Sequence, residues 1–572
     1  MKARTYLCFF GLLVTGLAGV PFLDSAAKPS KLQLVPLFPT SSAPSVTLEG
    51  HIAGSPLLDL SQGTPRVIAA ASKGTIAALD PVSGALLWKT VLPAGPGETP
   101  LLISTPVQID DKLVVAYQTV TGTGDWMSLK RVAQKVAVVD LRQGKVDPSF
   151  PIVDLAADVP AADSGTTVTF DPTHAASRSA LKHVRPSGRE LGFVYVSFGN
   201  FSDIQPWHGW LFEIDMDAWK QRGPNRAVSG TLVVTPETAC GEEGYNGSRD
   251  MICGGGIWTP SGPTVVGEKD DAELIVPTGN GQTDLKRRDY ANTLMRLRQG
   301  LAFDPECDAA LCKTFDARSP SLPCIESCKN LFIPRPAPHD PPLRPTSGNC
   351  DSKTFWECLA LNDYDLGANA PVKADLPDGR SVLVQPGKEG GLYLVDADHL
   401  GRQYDRMQIV DMCGTKTDPC LIPWRGMIAT QPALAYIGET PVVVVPTSVP
   451  DSTHPAGLLA IKIVVRDGVP KFERFWQQPD PSRPDATKHF RGKPSLPIIA
   501  PFGKTKDFYA WVVDTGDTGT LYGVRVADGT LMVEQPLSGS GISMSSPLVF
   551  DDKIYVPSRP NGALEAYRIT DD

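Results

Sequence analysis

The 572-residue chain lacks the signatures of several common chemistries. There is no His-Glu-x-x-His, and the eight histidines show no pair at metal-ligand spacing, so a zinc hydrolase of that kind is excluded. No Gly-x-Ser-x-Gly elbow marks an esterase, and no Gly-x4-Gly-Lys-Ser/Thr loop is present to cradle phosphates. No Cys-x-x-Cys-His occurs, so the chain carries no covalent haem. Positive charge is also short. Lys and Arg number 54 against 63 Asp and Glu, a net charge of −9, which offers no basic field for a nucleic-acid backbone. The cluster Lys286-Arg287-Arg288, with Arg296 and Arg298, reads as a solvated face. Beyond the first two dozen residues no apolar run approaches the ~20 needed to span a bilayer.

What is abundant is turn chemistry. The chain has 52 glycines and 53 prolines, nearly a fifth of its residues, where about 12% is usual. These residues punctuate turns and weaken helix interiors, so the excess predicts an all-β chain. At the N-terminus, Lys2 and Arg4 precede an apolar run from Tyr6 to Leu23, then Asp24-Ser25-Ala26-Ala27. This reads as a signal peptide over 1–27 and predicts a periplasmic or secreted protein with no transmembrane segment after its removal. The cysteines agree. Setting aside Cys8 leaves ten: Cys240, Cys253, Cys307, Cys312, Cys324, Cys328, Cys350, Cys358, Cys413 and Cys420. An even number in an exported chain predicts disulfides, with Cys240/Cys253 and Cys413/Cys420 as candidates for small loops. A zinc site is the competing reading, but Cys324-x3-Cys328 is poor spacing for one.

One phrase recurs along the whole chain. A small residue opens a short apolar run, Asp often follows, then a turn with Gly, then a second run. The clearest copy is Gly74-Thr-Ile-Ala-Ala-Leu-Asp80-Pro-Val-Ser-Gly84-Ala-Leu-Leu-Trp88. Others lie at Lys135 to Gly144, Gly209 to Asp215, Gly391 to Gly401 and Gly519 to Gly529, with looser copies at Asn292 to Gly300, Gly457 to Ile463 and Gly562 to Ile569. A Ser/Thr-Pro phrase often precedes it, as at Ser55-Pro56, Thr105-Pro106 and Ser546-Pro547. Short β-branched runs bounded by Asp, Gly and Pro read as strands. Two hairpins make a four-stranded sheet that cannot cover both of its faces alone, whereas radial stacking does so. The prediction is a β-propeller of seven or eight four-stranded blades, eight by the number of copies. An array of β-sandwiches is the alternative. Residues 28–47 read as an extended leader, 48–302 and 359–572 as the N- and C-terminal blades, and 303–358 as a disulfide-rich insertion.

The Gly74–Trp88 phrase resembles the blade motif of the quinoprotein alcohol dehydrogenases, which are eight-bladed propellers. The resemblance covers most of residues 46–572. It implies pyrroloquinoline quinone (PQQ) and calcium as cofactors, a small alcohol or sugar as substrate, and a separate electron acceptor. Gly254-Gly255-Gly256-Ile257-Trp258 is similar to the family's Gly-rich stretch ending in the Trp on which the quinone stacks. Asn280, in Thr278-Gly279-Asn280-Gly281, matches a calcium ligand. Asn362-Asp363-Tyr364-Asp365-Leu366-Gly367 resembles the segment of the catalytic base, so Asp363 or Asp365 would take the substrate proton. Asp363 would also reach the metal, and Asp365 the quinone. Lys388, in Gly387-Lys388-Glu389-Gly390, would polarise a quinone carbonyl. Asp203 stands nearest to the family's remaining metal ligand, and His208 lies where a channel mouth would be. The chain departs from the family in having no adjacent Cys-Cys pair. Each residue also has an ordinary structural role open to it: blade packing for Trp258 and His208, turn formation for Asn280, Asp363 and Asp365, a solvated hairpin for Lys388. The rival function is a non-catalytic propeller scaffold that binds a protein or glycan.

Overall fold

All eight phrases fold as the third strand of a four-stranded antiparallel sheet. In chain order these strands are Thr75–Leu79, Lys130–Asp140, Trp210–Asp215, Leu294–Leu297, Gly391–Asp396, Gly457–Arg466, Thr520–Arg525 and Ala563–Asp571. The computed structural model describes residues 31–40, 47–124, 128–201, 208–238, 253–338, 353–361, 364–409, 431–447, 456–480, 490, 492–501, 507–516, 518–558 and 562–571. The 1–27 signal segment lies outside them. Eight sheets form an eight-bladed propeller, numbered here as blades 1 to 8 in chain order. Blade 1, for example, pairs Leu57–Asp59, Arg66–Ala70, Thr75–Leu79 and Leu86–Val91 in that order. In blade 2 both edge strands are broken into two short pieces, and in blade 3 the first strand is, as Ala175–Ala176 and Lys182–Val184.

The strand sequences follow from position in the blade. Second and third strands are covered on both faces by neighbouring blades, so they read as continuous apolar runs. Val442 to Val445 are all fully buried, as are Ile76 to Ala78. The fourth strand of blade 1 faces solvent, and Leu86–Val91 is largely exposed. First strands of successive blades lie against one another near the axis: blade 1 against blade 8, blade 5 against blade 6, blade 6 against blade 7. The hydrophobic core therefore sits between blades. One cluster joins Val67, Ala69 and Ala77 of blade 1 to Tyr555, Leu564 and Ala566 of blade 8.

Aromatic residues on fourth strands dock onto turn glycines of the next blade. Gly144 has φ +63°, and a Cβ there would stand 2.4 Å from the Trp88 ring. Gly529 receives Trp476 and Gly84 receives Phe38 in the same way. The left-handed turn and the flat ring both require glycine. Phe38 also corrects the leader assignment. Leu32–Phe38 is the fourth strand of blade 8, paired antiparallel with Ala563–Asp571. The two ends of the described chain thus close the ring through a strand ladder.

The 303–358 stretch is likewise more than an excursion. Leu331–Phe332 is the fourth strand of blade 4. Disulfides Cys307–Cys328 and Cys312–Cys324 staple the preceding loop, and Phe315, Cys324 and Ile325 pack into the blade 4 core. The sulfurs of Cys307, Cys312 and Cys328 lie within 4.8 Å of one another because they are paired covalently, which removes them as zinc ligands. Cys253 and Cys358 are also disulfide-bonded. Cys240, Cys350, Cys413 and Cys420 lie outside the described residues. Among the described residues no helix is long and apolar enough to cross a membrane.

Candidate functional site

Antiparallel order brings two kinds of segment to one end of the propeller: the lead-in to each first strand, and the loop from second to third strand. Trp258 lies in the lead-in to blade 4 (first strand Thr264–Val266), and Asn280 follows its second strand, Glu273–Pro277. Asp365 lies in the lead-in to blade 5 (Val372–Asp375), and Lys388 follows Ser381–Pro386. The four are therefore delivered to the same end of adjacent blades.

There they meet at Asp365, which is 3% exposed. Its Oδ2 accepts from Trp258 Nε1 at 3.0 Å and from Lys388 Nζ at 3.0 Å. Its Oδ1 accepts from the backbone N–H of Asn280. The Lys388–Asp365 pair is a buried salt bridge, with Lys388 itself 7% exposed. Such a pair stays in place only with further hydrogen bonds, and the Trp258 and Asn280 donors supply them. Asp363 and Asp203 lie outside the described residues.

Glycines allow the approach. Gly254 and Gly255 have φ of +131° and +74°, and a Cβ on Gly254 would stand 2.3 Å from the Asn280 carbonyl. On Gly367 it would stand 2.5 Å from the Gly279 nitrogen. Asn292 ties the two blades together: its N–H donates to Gly279 O at 2.7 Å, and its Oδ1 accepts from Leu366 N at 3.1 Å. The Lys388 loop is anchored by its neighbour. Glu389 is fully buried, accepts from Tyr393 Oη, and pairs with Arg406 at 3.4 Å. Burial pushes the Glu389 carboxyl up, and Arg406 opposes the shift.

The half-buried Trp258 ring carries two cations. Lys388 Nζ is 5.0 Å from its centroid and the Arg178 guanidinium 5.2 Å. Both are within cation–π reach. Sequence reasoning missed Arg178. It lies between the two pieces of the first strand of blade 3, Ala175–Ala176 and Lys182–Val184, and also touches Met544 Sδ of the blade 8 lead-in at 3.8 Å, a contact possible only near the axis. No pattern around Ser177-Arg178-Ser179 marks it. Asn280 is 3% exposed, and its Nδ2 has no hydrogen-bond partner.

His208 lies in the neighbouring cavity of about 550 Å³, lined by Phe170, His174, Gly199, Asn200, Trp210 and Glu237 among others. Its Nδ1 lies 2.8 Å from Thr235 O, and burial pushes its pKa down to about 4, so the ring is neutral at pH 7. Gly199 links this cavity to the cluster, because a Cβ there would stand 2.9 Å from Trp258 Cβ.

The comparisons match this geometry in fold. A family model described as outer membrane protein assembly factor BamB matches residues 45–158. The quinohemoprotein alcohol dehydrogenase ADHIIG from Pseudomonas putida HK5 is similar over 94% of this chain and 76% of its own, at 12% identity and a TM-score of 0.52. A europium-containing methanol dehydrogenase is similar over 94% and 93%, at 14% identity and 0.51. No curated protein matches the sequence. The chain thus has the β-propeller fold of these quinoprotein dehydrogenases, and its residues 45–158 match the BamB family model.

Proposed function

We propose that this chain is an exported quinoprotein oxidoreductase, which oxidises an alcohol or sugar and passes electrons to a separate acceptor. The observation that carries the reading is the convergence of Trp258, Asn280 and Lys388 on the buried Asp365 carboxylate, the four coming from segments spread over 130 residues. A planar polyanion such as PQQ fits a half-exposed indole flanked by two cations. Bound there, the quinone would supply the two-electron acceptor.

The chain's own groups would do the rest. Trp258 offers a flat apolar face, and Arg178 and Lys388 offset the ligand's charge. Lys388 lies where it can stabilise charge on a carbonyl. Asp365 Oδ2 already accepts two hydrogen bonds and Oδ1 one, so the free lone pair on Oδ1 is the place for a substrate proton. Asn280 and Asp365 are the described oxygen donors toward calcium. Its Nδ2 lacks an acceptor, and the amide rotated by 180° would present oxygen instead. Export rests on the N-terminal run and the disulfides.

The test is a titration with PQQ and Ca²⁺, read by Trp fluorescence and followed by a dye-linked alcohol panel. Saturable, Ca²⁺-dependent quenching that is lost in Trp258→Ala is the expected result. Absence of quenching under every metal condition would overturn the reading and leave a binding propeller, with Asp365 as a static brace between blades 4 and 5.

A further inference from the structure

The cavity of about 550 Å³ beside His208 is walled by an addition to the propeller. Asp158–Pro160 and Thr167–Thr169 form a two-stranded hairpin between blades 2 and 3, outside all eight blade sheets. Its turn is tied to the segment after the blade 3 outer strand: Ala162 N–H donates to Pro236 O, and Thr238 N–H to the Asp163 carboxylate at 3.0 Å. Phe170, just past the hairpin, packs edge-on against Trp210 of the blade 3 third strand at 5.6 Å, within the core there. The wall is therefore held by backbone and core contacts. The space behind it falls in the roughly 300–1,000 Å³ range of small-ligand sites.

The polar atoms of the lining select the ligand. Trp210 is 3% exposed, and its indole N–H donates to no acceptor among the described residues. It is not sealed in protein either, so it opens onto the cavity that Trp210 lines. The Thr167 hydroxyl also has no partner among the described residues, and nor does Nε2 of His174, whose Nδ1 lies 3.0 Å from Asp171. An indole N–H, a hydroxyl and an imidazole nitrogen all exchange hydrogen bonds with hydroxyl groups. A charged ligand is less well served. The described lining holds no Lys or Arg, so an anion finds no counter-ion. The two carboxylates are engaged already. Asp171 accepts from the Thr173 N–H and hydroxyl and pairs with His174, and Glu237 is bonded to Asp289. A cation would therefore have to compete for them. His208 is neutral at pH 7 and adds no charge. Phe170 and Trp210 supply apolar wall for the C–H faces of a ring.

We propose that this cavity binds a neutral mono- or disaccharide unit, held by the Trp210 indole N–H and the Thr167 hydroxyl against the Phe170–Trp210 wall. The site is separate from the Trp258–Asp365 cluster and stands whether or not that cluster holds PQQ. The two are neighbours, because Gly199 lines the cavity and backs onto Trp258.

The experiment is saturation-transfer NMR and calorimetric titration of the purified chain, without added PQQ, against glucose, mannose, maltose and cellobiose. Glucuronate serves as the anionic probe and choline as the cationic one. At least one neutral sugar should bind saturably, and both charged probes should fail. Trp210→Phe keeps an aromatic wall and loses the N–H. Thr167→Val removes a hydroxyl at an exposed hairpin position and leaves the core intact. Each should weaken sugar binding by about two- to tenfold, the worth of one hydrogen bond. Trp258→Ala, which removes the quinone platform, should leave sugar affinity unchanged. Binding of none of the four sugars, sugar binding that both cavity variants leave intact, its loss in Trp258→Ala alone, or preference for choline or glucuronate would each overturn the proposal. A PQQ titration of the same chain fails or succeeds independently, so the cavity and the cluster are judged apart.

Discussion

The Lys388–Asp365 pair gives the sharpest test of the site as built. At 3.0 Å and an effective dielectric of 20, the gross attraction is about 5.5 kcal/mol. Desolvation of both ions cancels much of this, so the pair's net contribution to stability is small. Removing one partner is different, because the other charge stays buried. Lys388→Met should therefore cost about 3–5 kcal/mol. Asp365→Asn should cost a similar amount, since it strands the ammonium and turns an amide N–H toward the Trp258 or Asn280 donor. The double variant should cost far less than the sum, with a coupling energy of at least ~2 kcal/mol. Urea denaturation of the four proteins measures this directly. Melting is a poor substitute, because 3 kcal/mol moves Tm by only about 3 °C in a chain this long. A coupling below ~0.5 kcal/mol, the value for an exposed pair, would refute the claim that these groups meet in a buried site.

Gly144→Val should destabilise by about 2–4 kcal/mol, through both the left-handed φ and the collision with Trp88, while a Gly63→Val control, at an open turn, should cost only its backbone strain. Denaturation midpoints of the two variants make the comparison. Replacing Cys307 and Cys328 with Ser opens a bridge spanning 21 residues and should cost about 3 kcal/mol by loop entropy, read as the shift in urea midpoint against the unreduced wild type. His208 has its folded pKa depressed, so its contribution is fully present above pH 6.5 and is lost as pH falls toward 4. His208→Gln should flatten the stability profile across that window, and equal slopes in both proteins would exclude His208 as its source.

The fold was legible because the repeat phrase carries its own packing rule. Gly84, Gly144 and Trp88 stand at fixed places in the phrase, and these residues make the blade-to-blade docking. Two strands escaped. Leu32–Phe38 pairs with residues more than 500 positions away, and no local pattern reports so distant a partner. Leu331–Phe332 is two residues long and lies among cysteines and prolines, which read as irregular structure. At the site, Trp258, Asn280, Asp365 and Lys388 were legible through motif resemblance. Their meeting at Asp365 was not, because it depends on which loops share an end.

Asp365 is at once the brace of the cluster and its candidate base, so loss of activity in Asp365→Asn cannot distinguish the two roles. Trp258 can. Its indole does two separable things: the N–H bonds Asp365, and the ring face lies under two cations. Trp258→Phe keeps a flat face and loses the hydrogen bond, whereas Trp258→Ala loses both. If the face holds a planar ligand, PQQ affinity should fall modestly in the Phe variant, by about tenfold for one charge-assisted hydrogen bond that orients the site, and vanish in the Ala variant. Stability should fall in both, since both strip a donor from a buried carboxylate. If the cluster is only a brace, stability again falls in both, but no PQQ binding exists for the two variants to separate. Measuring affinity and urea midpoint on the same two proteins thus isolates ring-face binding from bracing, because only the first depends on what replaces the indole.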